Sequence, residues 1–180
     1  GSIRIRNAGA QYLYMVQLVM ERMGVEWQVE GQDILVPSKQ RMEIEPDLGG
    51  AIPEIKVMPW PGFPSDLVSI AVVIATQSRG SMLFHDWMYP SRMFFTDKLV
   101  GMGAQIVLCD PHRVIIQGPT QLFGEKMESP DIRAGMALVL AALSAQGRSV
   151  IRNIGQIDRG YEKVEQKLAA LGAKIQRETE

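Results

Sequence analysis

The stretch SPDIRAGMALVLAALSAQGRSVIRNIGQIDRGYEKVEQKLAALGAKI, residues 129–175, contains the clearest secondary-structure signals of the chain. Its first half predicts a helix. Ser129 is a suitable N-cap, and Pro130 suits the first helical position because its missing N–H would have no partner there. The apolar run over residues 132–146 has helical spacing and stops at Gly147. A helix this apolar is expected to be buried on most sides.

The second half of the stretch predicts a strand, a helix and a second strand. Residues 149–154 alternate in polarity as a strand does. Residues 162–171 repeat apolar positions at helical spacing with Lys and Glu between them, and Gly172 ends that helix. Residues 173–176 then begin another strand. The whole stretch is therefore one unit of helix, strand, helix and strand.

Two features of this unit recur upstream, which indicates internal repetition. A corner of one apolar residue, a glycine and a small or β-branched residue joins a helix to a strand at Met23-Gly24-Val25, Met102-Gly103-Ala104 and Leu171-Gly172-Ala173. In addition, Asp66 and Asp131 each open a very apolar helix that ends shortly before a glycine, Gly80 or Gly147. One glycine corner is common among helices, but three similar corners favour repeated units.

The remaining predicted elements alternate between strands and helices. Strands are predicted over residues 3–6, 25–29, 33–36, 55–57, 82–84, 105–108 and 114–117 and near Lys126, and helices over residues 11–23, 67–75 and 93–102. This order indicates an α/β fold. Because the two most apolar helices have no polar face, we expect helices inside and sheets outside rather than a doubly wound sheet.

Composition limits the class of protein. The 180 residues are 46% apolar, enough for one or two compact domains, and the net charge of −1 gives no electrostatic reason to expect a nucleic-acid or membrane-surface partner. The single cysteine, Cys109, excludes an intramolecular disulfide and is expected to be a buried small residue of a reducing, cytoplasmic compartment. No signal peptide or membrane span is recognisable. Gly1-Ser2 is typical of an expression-tag remnant.

Three charged residues stand at positions where function is an alternative to a plain structural role. Arg133 lies in the first turn of its helix, where a cation opposes the helix dipole, so it is either a solvated surface residue or a guanidinium that meets an anionic ligand. Asp66 follows a loop with three prolines and is either a first-turn acid or a fixed general base. Arg159, in a glycine-containing loop, is weak evidence alone. The two histidines have no zinc-ligand spacing.

Four motifs, taken in order, resemble those of the UDP-N-acetylglucosamine 1-carboxyvinyltransferase family, the enolpyruvyl transferases related to 5-enolpyruvylshikimate-3-phosphate synthase. The motifs are PGFPSD (residues 61–66), RMFFTDKLVGMGA (92–104), SPDIRA (129–134) and IDRGYE (157–162). The resemblance covers roughly residues 7–177. It implies that residues 1–180 form a single inside-out α/β barrel domain of repeated βαβαββ-like units. It further implies the C-terminal half of a two-domain enzyme with its active site in the cleft between the domains.

The resemblance also implies an activity and its residues. The enolpyruvyl group of phosphoenolpyruvate is transferred to the 3-hydroxyl of UDP-N-acetylglucosamine, phosphate is released, and the product enters peptidoglycan synthesis. Asp66 is expected to be the base on that hydroxyl, and Arg159 to act in catalysis by facing phosphoenolpyruvate. The expected substrate-binding residues are Ser65, Arg92, Asp131 and Arg133. Ser65 replaces the usual threonine but keeps a hydroxyl. No cofactor and no metal are implied.

The other domain of such enzymes contributes a lysine, a loop cysteine and further arginines, and none of these has a counterpart here; Cys109 does not match that cysteine. The chain alone is therefore expected to be inactive, with an N-terminal domain as its partner. Two alternatives stay open: a non-catalytic binding domain of the same fold, and a transferase with a different acceptor. The cleft face, which includes Trp60 and Trp87, would be exposed in an isolated domain and could mediate self-association. The segment before Arg92 is longer than the resemblance implies.

Overall fold

A computed structural model describes residues 1–178 as an α/β domain. Its strands are β1 (Ile3–Ile5), β2 (Gln28–Glu30), β3 (Asp33–Val36), β4 (Glu54–Lys56), β5 (Gly80–His85), β6 (Gln105–Asp110), β7 (Arg113–Gly118), β8 (Lys126–Glu128) and β9 (Val150–Arg152). Its α-helices are α1 (Tyr14–Glu21), α2 (Val68–Gln77), α3 (Thr96–Gly101), α4 (Ile132–Ser144), α5 (Gly155–Asp158) and α6 (Val164–Ala170). Short 3₁₀ turns over Ala10–Tyr12, Ser65–Leu67 and Arg92–Phe95 lead into α1, α2 and α3.

The strands form three sheets. Their orders are β1-β3-β2, β4-β5-β7-β6 and β8-β9. The pairs β4–β5 and β8–β9 are parallel, and the other pairs are antiparallel. A helix connects the two strands of each parallel pair, α2 in one case and α4 in the other. This is the crossover connection that parallel strands require.

Helices α2 and α4 pack against each other at the centre, and α2 also contacts β5 and β7. The residues that make these contacts are mostly small, which lets the helices approach closely. The fully buried positions of the two helices include Ala71, Val72, Ala75, Ala134, Ala137, Leu138 and Ala141. On the inner face of the large sheet, Met82, Phe84, Val114 and Ile116 are also fully buried. Two apolar helices enclosed by sheets confirm the predicted arrangement with helices inside.

The three predicted glycine corners have the same backbone geometry. Gly24, Gly103 and Gly172 have φ values of +75°, +100° and +97°. At each corner the glycine N–H donates to the carbonyl three residues earlier, and the next N–H donates to the carbonyl five residues earlier, at 2.9–3.0 Å. This double hydrogen bond is a Schellman-type helix end, which places a left-handed residue after the helix. The repeated corner is confirmed.

A second set of contacts repeats around the ends of α2 and α4. The backbone N–H of Arg79 donates to Met42 and its carbonyl accepts from Ile44, at 2.8 Å each. Gln146 makes the same two bonds, with Leu122 at 2.8 Å and Gly124 at 2.7 Å. Within residues 1–178, the elements from β4 to β7 form a complete βαβαββ unit, which we call the second unit. The elements from β8 to α6 form the third unit, which has only the first two strands of this pattern.

Four local predictions differ from the structure. Residues 173–178 form no strand, because a strand needs a neighbouring backbone to pair with and β9 pairs only with β8 over the described residues. Strand β2 starts at Gln28 rather than Val25, because the backbone of Glu26 bonds the Gln40 side chain in both directions. Helix α6 begins late because Lys163 has a left-handed φ of 49°. Cys109 is exposed on the edge strand β6 rather than buried.

The start of α4 also differs from the prediction. Asp131, not Ser129, is the N-cap, and its carboxylate accepts the backbone N–H groups of Arg133 and Ala134. Ser129 instead extends the pairing of β8 with β9, because its N–H donates to the carbonyl of Arg152 at 3.0 Å. Pro130 therefore lies before the helix. The consequence is that Arg133 occupies the second helical position, immediately beside the cap.

Candidate functional site

The candidate site begins with the proline-rich loop that leads into α2. Met58 donates its N–H to the carbonyl of Phe63 at 3.0 Å, and the Gly62 N–H donates to Pro59 at 2.8 Å. A side chain on Gly62 would collide with the Cβ of Met58, so only glycine fits this turn. Phe63 is buried and anchors the loop. The loop thereby presents the 3₁₀ turn Ser65–Leu67 in a fixed position at the start of α2.

An ion pair joins the starts of the two central helices. The Nη2 atom of Arg133 donates to Oδ2 of Asp66 at 2.8 Å, across 67 residues of sequence. Asp66 keeps 58% of its side chain exposed and Arg133 keeps 34%, so the pair is open to a ligand. The hydrogen bond from Arg133, together with the charges of Arg133 and Arg92, lowers the pKa of Asp66 below its usual value. The same hydrogen bond raises the pKa of Arg133.

Asp131 supports this pair through the backbone. Its Oδ1 atom accepts the N–H groups of Arg133 at 2.7 Å and Ala134 at 2.9 Å. The cap fixes the first turn of α4, and therefore the point from which the Arg133 side chain extends. Arg133 opposes the helix dipole at this position, and the hydrogen bond with Asp66 offsets that cost.

Arg92 lies in the turn before α3. Its guanidinium carbon is 4.8 Å from the centre of the Tyr89 ring, and its Nε atom is 3.9 Å from Oδ2 of Asp86. Only 14% of the Arg92 side chain is exposed. The charge of Arg92 contributes to the lowered pKa of Asp66. Oδ2 of Asp86 also accepts the hydroxyl of Ser65, the residue before Asp66. The structure therefore joins Asp66 to Arg133 directly and places Arg92 in the same region through Asp86.

Asp86 is the buried polar residue of this site that the sequence did not reveal. It is 0% exposed, and its Oδ2 atom accepts the hydroxyl of Ser65 at 2.5 Å. Its Oδ1 atom accepts the backbone N–H groups of Met88 and Tyr89 at 3.0 and 3.2 Å. An aspartate after a predicted strand commonly starts a turn, and no pattern in the sequence shows that this one is buried beside Ser65.

Arg159 is placed near this cluster but not in it. It is exposed at the end of α5 and donates to Gln156 at 3.2 Å. Within residues 1–178 no hydrogen bond or ion pair links it to Asp66, Arg92 or Arg133. The next residue, Gly160, packs so closely on Ile132 that a side chain there would collide with it, and the Tyr161 phenol contributes to the raised pKa of Arg133. The loop that contains Arg159 therefore rests against the first turn of α4.

A cavity in another part of the domain is not this site. It has a volume of about 1190 Å³, between α4, β9 and residues 173–178, and includes none of Asp66, Arg92 and Arg133 in its lining. We place the chemistry at the charged cluster, because the cavity is an open gap beside the incomplete third sheet. Over residues 1–178 no group of three or more His, Cys, Asp or Glu side chains could hold a metal ion. In the same range, no helix is long and apolar enough to cross a membrane.

Comparisons with known proteins agree with the fold. The family model of EPSP synthase (3-phosphoshikimate 1-carboxyvinyltransferase) matches residues 1–168. The enolpyruvyl transferase NikO from Streptomyces tendae superposes with a TM-score of 0.83 at 24% identity, over 97% of this chain and 40% of that one. EPSP synthase from Acinetobacter baumannii gives 0.66 at 16% identity, over 99% of this chain and 40% of the other. These two structures show the inside-out α/β fold alone.

Two curated relatives are much more similar in sequence. UDP-N-acetylglucosamine 1-carboxyvinyltransferase from Bradyrhizobium diazoefficiens is 55% identical over 175 residues, which cover 97% of this chain. The protein of the same name from Treponema denticola is 50% identical over 98% of this chain. The chain spans 41% of the length of each of these relatives.

Proposed function

The chain belongs to the EPSP synthase family, and from this premise we propose that it supplies one half of the active site of a UDP-N-acetylglucosamine 1-carboxyvinyltransferase. Such an enzyme transfers the enolpyruvyl group of phosphoenolpyruvate to the 3-hydroxyl of UDP-N-acetylglucosamine and releases phosphate, in the synthesis of peptidoglycan precursors. The acceptor rests on the names of relatives that are 50–55% identical to this chain. The roles proposed for Asp66, Arg92 and Arg133 are supported by the site geometry, and the role proposed for Arg159 rests on the resemblance of its motif alone.

The observation that supports the proposal most is the ion pair of Asp66 and Arg133 at the N-terminal ends of two buried helices, with Arg92 in the turn before α3. Phosphoenolpyruvate has a phosphate and a carboxylate, and guanidinium groups bind both through charge-assisted hydrogen bonds. The positive ends of α2 and α4 add to that attraction. A carboxylate that is bonded to Arg133 and lies in the field of Arg92 can take the proton of an attacking hydroxyl.

In the proposed reaction, the acceptor oxygen bonds to C2 of phosphoenolpyruvate while Asp66 accepts the hydroxyl proton, and C3 gains a proton. The product of this addition is a tetrahedral phospholactoyl intermediate. Loss of a C3 proton and departure of phosphate then restore the double bond. Arg92, Arg133 and Arg159 stabilise the developing charges on the phosphate and carboxylate. The group that protonates C3 is assigned to the domain that this chain does not contain.

The proposed partner is an N-terminal domain of the same enzyme, which contributes the remaining catalytic groups and closes the cleft. The proposed location of the enzyme is the cytoplasm. The length of the relatives supports this, because this chain spans only 41% of them. The face toward the cleft exposes Trp60 by 70% and Trp87 by 49%. We propose that an isolated chain self-associates through this face. Sedimentation of a clean monomer at high concentration would contradict self-association.

The base is tested by Asp66→Asn in a chimera that joins this chain to the part of the Bradyrhizobium diazoefficiens relative that it does not cover. We expect turnover to fall by about 10²–10⁴, because a positioned general base contributes that factor, while UDP-N-acetylglucosamine still binds. The matched control is Asp97→Asn, an exposed first-turn acid of α3, which should leave turnover unchanged. Full turnover of Asp66→Asn would refute the assignment of the base.

A further inference from the structure

Asp86 is the only charged residue that is fully buried among residues 1–178. It directly follows β5, at the end of the strand that leads to the site. A carboxylate removed from water is costly unless hydrogen bonds and a counter-charge compensate for the lost hydration. A buried acid that the proposed chemistry does not use therefore requires a structural reason.

Each oxygen of Asp86 has a separate set of contacts. Oδ1 accepts the backbone N–H groups of Met88 and Tyr89 and so shapes the loop that leads to Arg92. Oδ2 accepts the Ser65 hydroxyl at 2.5 Å and lies 3.9 Å from Nε of Arg92. The main chain of Asp86 is also fixed, because its N–H donates to the carbonyl of His112 at 2.9 Å and its carbonyl lies 2.8 Å from Nδ1 of His112.

These contacts restrict the position of the Arg92 guanidinium at its edge and at its face. Oδ2 lies at its Nε edge, and Oδ1 places Tyr89, whose ring lies beneath the guanidinium at 4.8 Å. Over residues 1–178 the guanidinium has no hydrogen-bond acceptor, although only 14% of the side chain is exposed. Its N–H groups are donors that a bound anion would satisfy.

The same carboxylate oxygen also holds the residue next to the proposed base. Ser65 precedes Asp66 in the 3₁₀ turn, is itself only 8% exposed, and has its hydroxyl bonded to Oδ2. We propose that Asp86 is a positioning residue: one of its oxygens forms an ion pair with Arg92 and accepts the Ser65 hydroxyl, and this fixes the distance between the anion-binding Arg92 and the base Asp66. This inference rests on the proposed function and assigns a role to a residue that touches no substrate.

The test uses the 180-residue chain, labelled with ¹⁵N, and observes the Nε–H signal of Arg92, identified by its loss in Arg92→Lys. In Asp86→Asn, an amide replaces the carboxylate, and its NH₂ group or a neutral oxygen faces Ser65 and Arg92. We expect the Arg92 Nε–H signal to shift and its side chain to become more mobile. Asp86→Glu, which keeps the charge, should restore most of the order. An unmoved signal in Asp86→Asn overturns the inference, whether or not phosphoenolpyruvate binds.

Phosphoenolpyruvate is then titrated into each folded variant. The affinity for phosphoenolpyruvate should fall by about 10- to 100-fold in Asp86→Asn, because removal of an orienting residue commonly weakens binding by that factor. The affinity should recover in Asp86→Glu. Asp97→Asn is the control with unchanged affinity. If the unmodified chain binds and Asp86→Asn binds equally well, only the positioning role fails. If the unmodified chain does not bind at all, the half-site alone does not hold the anion, and phosphate release by the mixed halves decides the proposed function while the Arg92 signal still decides the positioning role.

Asp86→Asn alters a fully buried residue, so Ser65→Ala provides a second variant in case the first does not fold. It removes the hydroxyl that holds Oδ2 and leaves the charge of Asp86 in place. Oδ1 stays bonded to Met88 and Tyr89, but Oδ2 then has only Arg92 as its partner, so the Arg92 Nε–H signal should shift in this variant as well. A signal at its original position in folded Ser65→Ala would overturn the inference.

Discussion

The hydrogen bond between Asp66 and Arg133 determines how the site titrates. It lowers the pKa of Asp66, so the carboxylate is ionised at neutral pH and can accept a proton. A group with a lowered pKa in the folded state stabilises the fold above its ordinary pKa, and this stabilisation is lost as the pH falls through the lowered value. The pair therefore contributes to stability at neutral pH and ceases to do so in acid.

Arg133→Gln tests this relation. Without the guanidinium, the pKa of Asp66 should rise toward the ordinary value of an aspartate, because the first cause of its depression is removed. The ¹³C shift of the Asp66 carboxyl, followed through a pH titration, measures the change. Arg113→Gln, which breaks the similar pair with Asp110 in the β6–β7 hairpin, should leave Asp66 as it is. An Asp66 pKa that is the same in all three proteins would contradict this account of the site.

At the residue scale, the sequence predicted the members of the cluster that stand at helix starts. Asp66 and Arg133 are conspicuous because their charges bear directly on a helix dipole. Asp86 could not be predicted in this way, because its role depends on Ser65, which is 21 residues away in sequence. Likewise, the sequence could not show that Arg159 would bond Gln156 rather than join the other two arginines.

At the scale of elements, the glycine corners allow a comparison of two neighbouring glycines. Gly103 has a φ of +100°, and a Cβ there would lie 3.2 Å from the Gln121 carbonyl oxygen, so Gly103→Ala should destabilise the fold by about 1–2 kcal/mol. Gly101 is within α3 and has open space around it, so Gly101→Ala should be neutral or stabilise by up to about 1 kcal/mol. Equilibrium urea unfolding compares the two, and equal effects would contradict the proposed corner geometry.

Helices were easier to predict than strands in this chain, for a physical reason. The apolar runs of α2 and α4 satisfy their own backbone hydrogen bonds, so the sequence pattern is sufficient to define them. A strand depends on a neighbour that the pattern does not describe. Residues 173–176 have a strand-like sequence but no partner among the described residues, and they remain irregular. The start of α4 was misplaced for a different reason: Ser129 and Asp131 are both good caps, and pairing with Arg152 occupies the backbone of Ser129.

In the molecule as a whole, the second and third units differ in completeness. The second unit has a four-stranded sheet, whereas the third has two strands, and α6 contains no buried residue. The cavity of about 1190 Å³ lies in this unit and exposes apolar residues such as Ile154 and Ile175. Local opening requires less free energy where few apolar contacts must be broken.

Hydrogen exchange tests this difference. Amides of β9 and α6 should exchange through openings of lower free energy than amides of β5 and β7, which pack against the central helix α2. Native-state exchange in low denaturant, read by NMR, measures both groups in one sample. Equal protection of the two groups would show that the third unit is as firmly packed as the second, contrary to the structure.

We propose that this chain supplies one half of a divided active site. The most direct measurement is phosphate release from phosphoenolpyruvate with UDP-N-acetylglucosamine present. It is made with this chain alone and then with the chain mixed with the part of the Bradyrhizobium diazoefficiens relative that it does not cover. We predict release only in the mixture, because Asp66 and the arginines need the groups of the other domain. Phosphate release by the chain alone would contradict this division of the catalytic groups.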